Sequence, residues 1–299
     1  MKIAMVVTSF LLFSALMVPG QNSDSLLPHM EFTLIAQVNQ GNSYITFPTD
    51  IGNIEPLWFE GNIIPNFYIR KSRNSRLMGV LTPQIIIRMY QEASFPVQTP
   101  SYLPQITVYY KFRDKRSSPD LSIYSRIAHH SNGQDGDFYT LNGDLNYKSG
   151  NFSTNFIELG LISTRVNPVF KAYQFFKTSL EWHPDASMLE ELNGIYSQYR
   201  WHTALSIFKL SQKYGNGSQK KPAISVKGEL TWMLGEYSQL NPYSAERLNL
   251  SLTFSYHPAF LEDLGLFLQF YHGSDYYNIY FGHRLDVLRI GFITEKLRF

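Results

Sequence analysis

His129 and Ser131 are a base and a hydroxyl two residues apart, in Ile127-Ala128-His129-His130-Ser131-Asn132-Gly133. The residues ahead of them, Leu121-Ser122-Ile123-Tyr124-Ser125-Arg126, belong to an alternating segment that reads as a strand. Strand side chains alternate between faces. His129 and Ser131 therefore share one face with Leu121, Ile123 and Ile127, and Ser122, Tyr124, Arg126 and His130 share the other. A base beside a hydroxyl on one face can make an activated nucleophile. Asn132-Gly133 reads as a turn, and the backbone N–H groups around Ser131 and Gly133 can meet an oxyanion. This chemistry would lie on the apolar side of the strand.

A second segment, Asn151-Phe152-Ser153-Thr154-Asn155-Phe156-Ile157-Glu158-Leu159, places Asn155 on the face of Ile157, Leu159 and Leu161. An amide among such neighbours is costly without a hydrogen-bond partner. Orienting the imidazole of His129 would supply one. Asn142 and Asn146 are rivals for that role. Asn142 sits in Leu141-Asn142-Gly143, which reads as a turn, and Asn146 lies in a less apolar frame. His130 reads as a hydrogen-bonding group on the polar side, and Arg126 and Glu158 as parts of a charged network there. His183 and His257 each precede a proline and read as turn residues; no pair of histidines has zinc-site spacing with a carboxylate.

The elements that must position these groups follow from composition and periodicity. The chain has 299 residues, no Cys, 20 Tyr, 22 Phe, a net charge of +2 and a mean hydropathy of -0.20. The lack of Cys excludes a disulfide framework and thiolate metal sites, and the balanced charge gives no argument for a nucleic-acid partner. Lys2, then the apolar run from Ile3 to Val18, then Val18-Pro19-Gly20, reads as a signal peptide over residues 1–20. No later run reaches the length of a transmembrane helix. The expected mature protein, 21–299, is one domain with an N-terminal lead-in over 21–65, in which 28–38 could hold one short strand and 56–60 a weak one.

Beyond the lead-in come about twelve segments at hairpin rhythm: 66–71, 80–90, 105–112, 121–131, 138–148, 151–166, 173–182, 194–210, 223–234, 247–256, 265–272 and 276–292. Several alternate cleanly: Leu248, Leu250, Leu252 and Phe254 oppose Asn249, Ser251, Thr253 and Ser255. This is the dyad pattern of an all-β, antiparallel transmembrane barrel with lipid outside and a polar lumen. Aromatic excess fits the girdles of such a barrel. So does a final strand running from Ile290 towards Phe299. A soluble lipocalin-like barrel would show the same alternation with its apolar face turned inward. Residues 187–192 read as a turn of helix in a loop, and 215–222 as a polar hairpin tip.

His129-His130-Ser131-Asn132-Gly133 together with Ser153-Thr154-Asn155 resembles the outer-membrane phospholipase A family. That family carries His-x-Ser-Asn-Gly at the end of one strand and an Asn in a Ser-x-Asn context on a following strand. The stretches from Ser94 to Gln105 and from Tyr271 to Asn278 resemble the family's flanking segments. The resemblance implies a twelve-stranded barrel of the bacterial outer membrane that hydrolyses phospholipid acyl esters. It implies Ser131 as nucleophile, His129 as base and Asn155 as the orienting group. It also implies calcium near the oxyanion, held across a homodimer by Gln134 and Asn151 of one chain and Ser94 of the other, with Asp135 and Asp137 as further oxygen donors. The sequence departs from the family in a longer interval between Ser131 and Asn155, and in Gln134 where a basic residue is usual. The competing reading is a pore or structural barrel without activity.

Overall fold

Alternation of apolar and polar residues along the chain builds one closed antiparallel sheet. In the computed structural model, residues 32–294 and 297 are described, apart from 49, 73–74, 95, 114–119, 168–169, 211–221 and 259. The expected signal peptide, most of the 215–222 hairpin tip and Phe299 lie outside the described residues. The strands are β1 Tyr44–Thr46, β2 Ile51–Gly52, β3 Leu57–Ile63, β4 Phe67–Ile69, β5 Leu77–Tyr90, β6 Ser101–Arg113 and β7 Asp120–Ser131. They continue with β8 Ser153–Asn167, β9 Ala172–Trp182, β10 Tyr199–Leu210, β11 Pro222–Leu234, β12 Leu248–Tyr256, β13 Leu264–Ser274 and β14 Arg284–Thr294.

Sequential neighbours pair from β5 to β14, and β14 closes the ring on β1 and β2. β1 and β2 both lie along β14, and β3 and β4 both lie along β5. Each of those two pairs is thus one interrupted stave, and the barrel has twelve. The ring is closed by the pairing of β1 with β3, and closure is what a sheet in hydrocarbon requires. The 12 residues of β7 and 15 of β8 exceed the ~9–11 needed to cross a bilayer.

The apolar face points outward. Ile127 is 62% exposed and Leu159 57%, whereas Tyr124 and Glu158, on the opposite faces of the same strands, are 1% exposed. This excludes the inward-facing arrangement of a soluble lipocalin-like barrel. The lumen holds the expected charged network. Arg126 Nη1 donates to Glu158 Oε2 at 2.8 Å, Lys177 Nζ stands 3.5 Å from Glu158 Oε1, and Ser179 Oγ donates to the same carboxylate at 2.6 Å. The hydroxyl of Tyr124 joins them. Gly160 makes this possible, because a Cβ there would lie 2.5 Å from the Tyr124 ring.

Three sequence expectations are corrected. In the segment 28–38 the described residues, from Phe32 on, supply no strand; Phe32–Gln40 form a helix, α1, inside the barrel. Phe32, Ile35 and Ala36 recur at helical spacing and are buried. A chain inside a closed sheet finds no free edge to pair with, so its backbone satisfies itself as helix. The segment 138–148 is a loop with a small hairpin of its own, bridged at Tyr139 and Leu145 around Gly143 (φ +84°), and is no stave of the barrel. The segment 276–292 conceals a 3-10 turn, Asn278–Gly282, ahead of β14. The expected count of twelve was reached with one false stave, 138–148, and without the N-terminal one formed by β1 and β2. The described part of the final strand runs to Thr294, and Leu297 is buried in the apolar cluster that also holds α1.

Candidate active site

β7 and β8 pair in a register that sets His129 opposite Asn155 and Ser131 opposite Ser153. All four lie on the outward face and are half-buried. His129 Nδ1 and Asn155 Oδ1 are 2.9 Å apart, and Asn155 Nδ2 donates to the Ser187 carbonyl at 2.8 Å. This second bond fixes the first. A backbone carbonyl only accepts, so the amide turns its NH2 to Ser187 and its Oδ1 to His129. Nδ1 must then carry the ring proton, and Nε2 is left with its lone pair, as a base requires. Ser131 Oγ makes no hydrogen bond to the His129 ring among the described contacts. Catalytic hydrogen bonds of this kind are commonly open until substrate is bound.

The turn after β7 is held by Asn132, which is 3% exposed. Its Nδ2 donates to Gly150 O at 2.8 Å, and its Oδ1 accepts from Phe152 N at 3.0 Å and Gln134 N at 3.2 Å. The loop between β7 and β8 is thereby pinched shut at its base, and its inserted residues do not disturb the register of the two strands. Gly133 takes φ +68°, a left-handed conformation that glycine adopts without strain. Its N–H is outside the described hydrogen bonds of the turn and stands at the exposed rim next to Ser131.

The rival amides serve elsewhere. Asn146 bonds to Asp137 O and Ser149 Oγ and shapes the loop, and Asn142 is exposed at the hairpin tip. His130 points into the barrel, where its Nε2 meets Ser101 Oγ. Ser101 is fully buried.

No family model matches the chain, and no curated protein matches it by sequence. Solved structures do. Outer membrane phospholipase A from Escherichia coli is 11% identical, with a TM-score of 0.58 over 92% of this chain and 94% of that one. An active-site mutant of the same protein matches with the same TM-score at 10% identity. The outer membrane phospholipase of Salmonella typhi, a dimer with bound calcium, matches at TM-score 0.58 and 10% identity over 91% of this chain and 94% of that one. The chain has the fold of outer membrane phospholipase A.

On that phospholipase A fold, the flanking segments singled out in the sequence meet at the site end of the barrel. Asp275 holds Arg88 through two oxygens at 2.7 and 2.9 Å, and Asn278 Nδ2 donates to Thr99 O at 3.1 Å. Gln134 Nε2 donates to Thr99 Oγ1 at 3.2 Å, which ties the turn after Ser131 to the β5–β6 loop that also carries Ser94. Ser94, Asp135 and Asp137 are exposed, and Gln134 and Asn151 half-buried. Their donors are hard oxygens, the chemistry calcium takes. Among the described residues no three His, Asp or Glu side chains converge on a metal-sized site, so calcium here would rest mainly on neutral oxygens.

Two features of the site carry no local sequence signal. The Ser187 acceptor is a backbone carbonyl and has no residue signature. Asn132 reads in sequence as a turn residue, and only its burial reveals it as the clamp of the loop.

Proposed function

We propose that this chain is a calcium-dependent phospholipase of the bacterial outer membrane, acting through Ser131, His129 and Asn155. The observation that carries the reading is the line Ser187 carbonyl, Asn155 amide, His129 Nδ1, standing beside Ser131 on the face that meets lipid. A merely structural barrel has no use for three polar side chains there, where each is costly.

Ser131 Oγ attacks the acyl carbonyl carbon of a phospholipid while His129 Nε2 takes its proton. Asn155 Oδ1 holds the Nδ1–H and so keeps the ring turned and in the right tautomer through the change of charge. The developing oxyanion meets the Gly133 N–H. His129 returns the proton to the departing lysophospholipid oxygen; water then attacks the acyl-serine carbonyl with His129 taking its proton, and the bond to Ser131 Oγ breaks as His129 gives that proton back to Oγ and the fatty acid leaves. Calcium, when bound, supplies positive charge near the oxyanion. Gln134 and Asn151 of one chain and Ser94 of a second would hold it, which makes the active form a homodimer.

The test is acyl-ester hydrolysis by the purified chain in detergent, with calcium and after chelation, beside Ser131→Ala. Wild type with calcium should release fatty acid. Chelation and Ser131→Ala should each reduce release to near background while the fold persists. Undiminished hydrolysis by Ser131→Ala ends this reading.

A further inference from the structure

The segment that follows β9 grips the start of β8 from both sides of the barrel wall. On the outer side the Ser187 carbonyl takes the Asn155 amide. On the lumen side, one residue along, Thr154 Oγ1 lies 2.9 Å from His183 Nδ1, and both residues are fully buried. His183 Nε2 lies 2.8 Å from Glu181 Oε1. A carboxylate accepts, so Nε2 carries the proton and Nδ1 accepts from the Thr154 hydroxyl. Burial, with the charge of Arg200 adding to it, lowers the His183 pKa below the usual histidine range and keeps the ring neutral.

The ring is also held in place by Phe156 and Tyr196, at centroid distances of 5.2 Å each. Between the two grips the chain makes a tight turn, with Ser187 N bonded to Pro184 O at 2.9 Å. It then runs along β8 through a bridge between Thr154 and Met188 and a bond from Leu189 N to Ser153 O at 3.1 Å.

We propose that His183 is a positioning residue for the nucleophile–base pair: by holding Thr154 from the lumen it seats the Ser187 carbonyl on the Asn155 amide and so fixes the tautomer of His129. The proposal rests on the assignment of Ser131, His129 and Asn155 above. An Asn side chain can turn its amide by half a rotation at little steric cost. Without the Ser187 acceptor the NH2 can face Nδ1, the ring proton moves to Nε2, and the ring can no longer take the proton of Ser131. Neither His183 nor Thr154 touches substrate in this scheme; both act through Asn155.

The experiment uses the full chain in detergent micelles with calcium and a phospholipid substrate. Thr154→Val and His183→Ala are made alone and on the Asn155→Ala background, and Thr154→Ser serves as the conservative control. Folding is checked by the mobility of the unboiled barrel. Thr154→Val keeps the side-chain shape and serves if His183→Ala does not fold.

Each single variant should lower kcat about tenfold with KM little changed, and Thr154→Ser should keep most of the activity. On the Asn155→Ala background neither should cost anything more, because the group they act through is gone. The nitrogen NMR shifts of labelled His129 should show the Nδ1–H form in wild type and a mixture in Thr154→Val. An equal loss on both backgrounds, or an unchanged tautomer in Thr154→Val, overturns the positioning role. If Ser131→Ala keeps wild-type activity, the catalytic assignment falls first and this role with it; if it is inactive while the cycle is additive, only the positioning role falls.

Discussion

Asn155 is a neutral residue asked to orient a base that becomes charged. It cannot match the electrostatic support an Asp would give the imidazolium, so its contribution is geometric and depends on both of its hydrogen bonds. Asn155→Ala removes the bond to His129 and frees the Ser187 carbonyl. A hydrogen bond of this kind contributes about 1–3 kcal/mol, which converts to a loss of about 10- to 100-fold in kcat. Steady-state rates with KM little changed would bear this out; a rise in KM alone would point to a substrate contact instead. Asn132 makes a contrasting case. Its buried side chain satisfies Gly150, Phe152 and Gln134 at the base of the loop. Asn132→Ala should therefore lower both stability and activity, and a thermal melt followed by unboiled gel mobility would show the first.

β8 presents two opposite environments at adjacent residues. Glu158 faces the lumen and collects Arg126, Lys177, Tyr124 and Ser179. Leu159, next in the chain, faces outward and is exposed, on the side that the proposed function sets in lipid. Glu158→Ala removes a buried carboxylate from two half-buried cations, Arg126 and Lys177, and should destabilise the barrel by up to about 3–5 kcal/mol. Leu159→Arg sets a charge in hydrocarbon and should cost about 2–4 kcal/mol. Refolding titrations into lipid vesicles would measure both. The comparison also tests orientation: if Leu159→Arg is harmless, that face does not meet lipid.

For the whole molecule, the filling of the lumen is what sets this closed barrel apart from an open channel. α1 occupies the end of the barrel away from Ser131, with Gln40 Nε2 bonded to Thr107 Oγ1 at 2.8 Å and Tyr109 OH at 3.0 Å. At the site end, Phe138, Phe152, Leu192, Tyr196, Ile279 and Phe281 form an apolar cluster among the loops. Between them lies a cavity of about 510 Å³ lined by both polar and apolar side chains. A lumen filled at both ends should conduct poorly. In planar bilayers the full chain should show no open-channel steps, and a chain lacking residues 32–40 should show conductance. Steady conductance by the intact chain would favour the pore reading.

The sequence by itself determined the period of two and the apolar excess on one face of each segment, and hence an antiparallel barrel; only the structure turned that apolar face outward. It also set His129, Ser131 and Asn155 on the apolar face and His130 on the polar one, because a face depends only on counting along a strand. The tertiary structure decided what counting cannot reach. Pairing of β7 with β8 set His129 opposite Asn155 across a loop that Asn132 closes. The loop segment 138–148 mimics a stave because its local hairpin alternates too. α1 is a helix because the closed wall offers it no edge. The Ser187 carbonyl and the grip of His183 on Thr154 arise where separate stretches of chain meet. Register and amide orientation are relations between distant segments, and no periodicity within one segment encodes them.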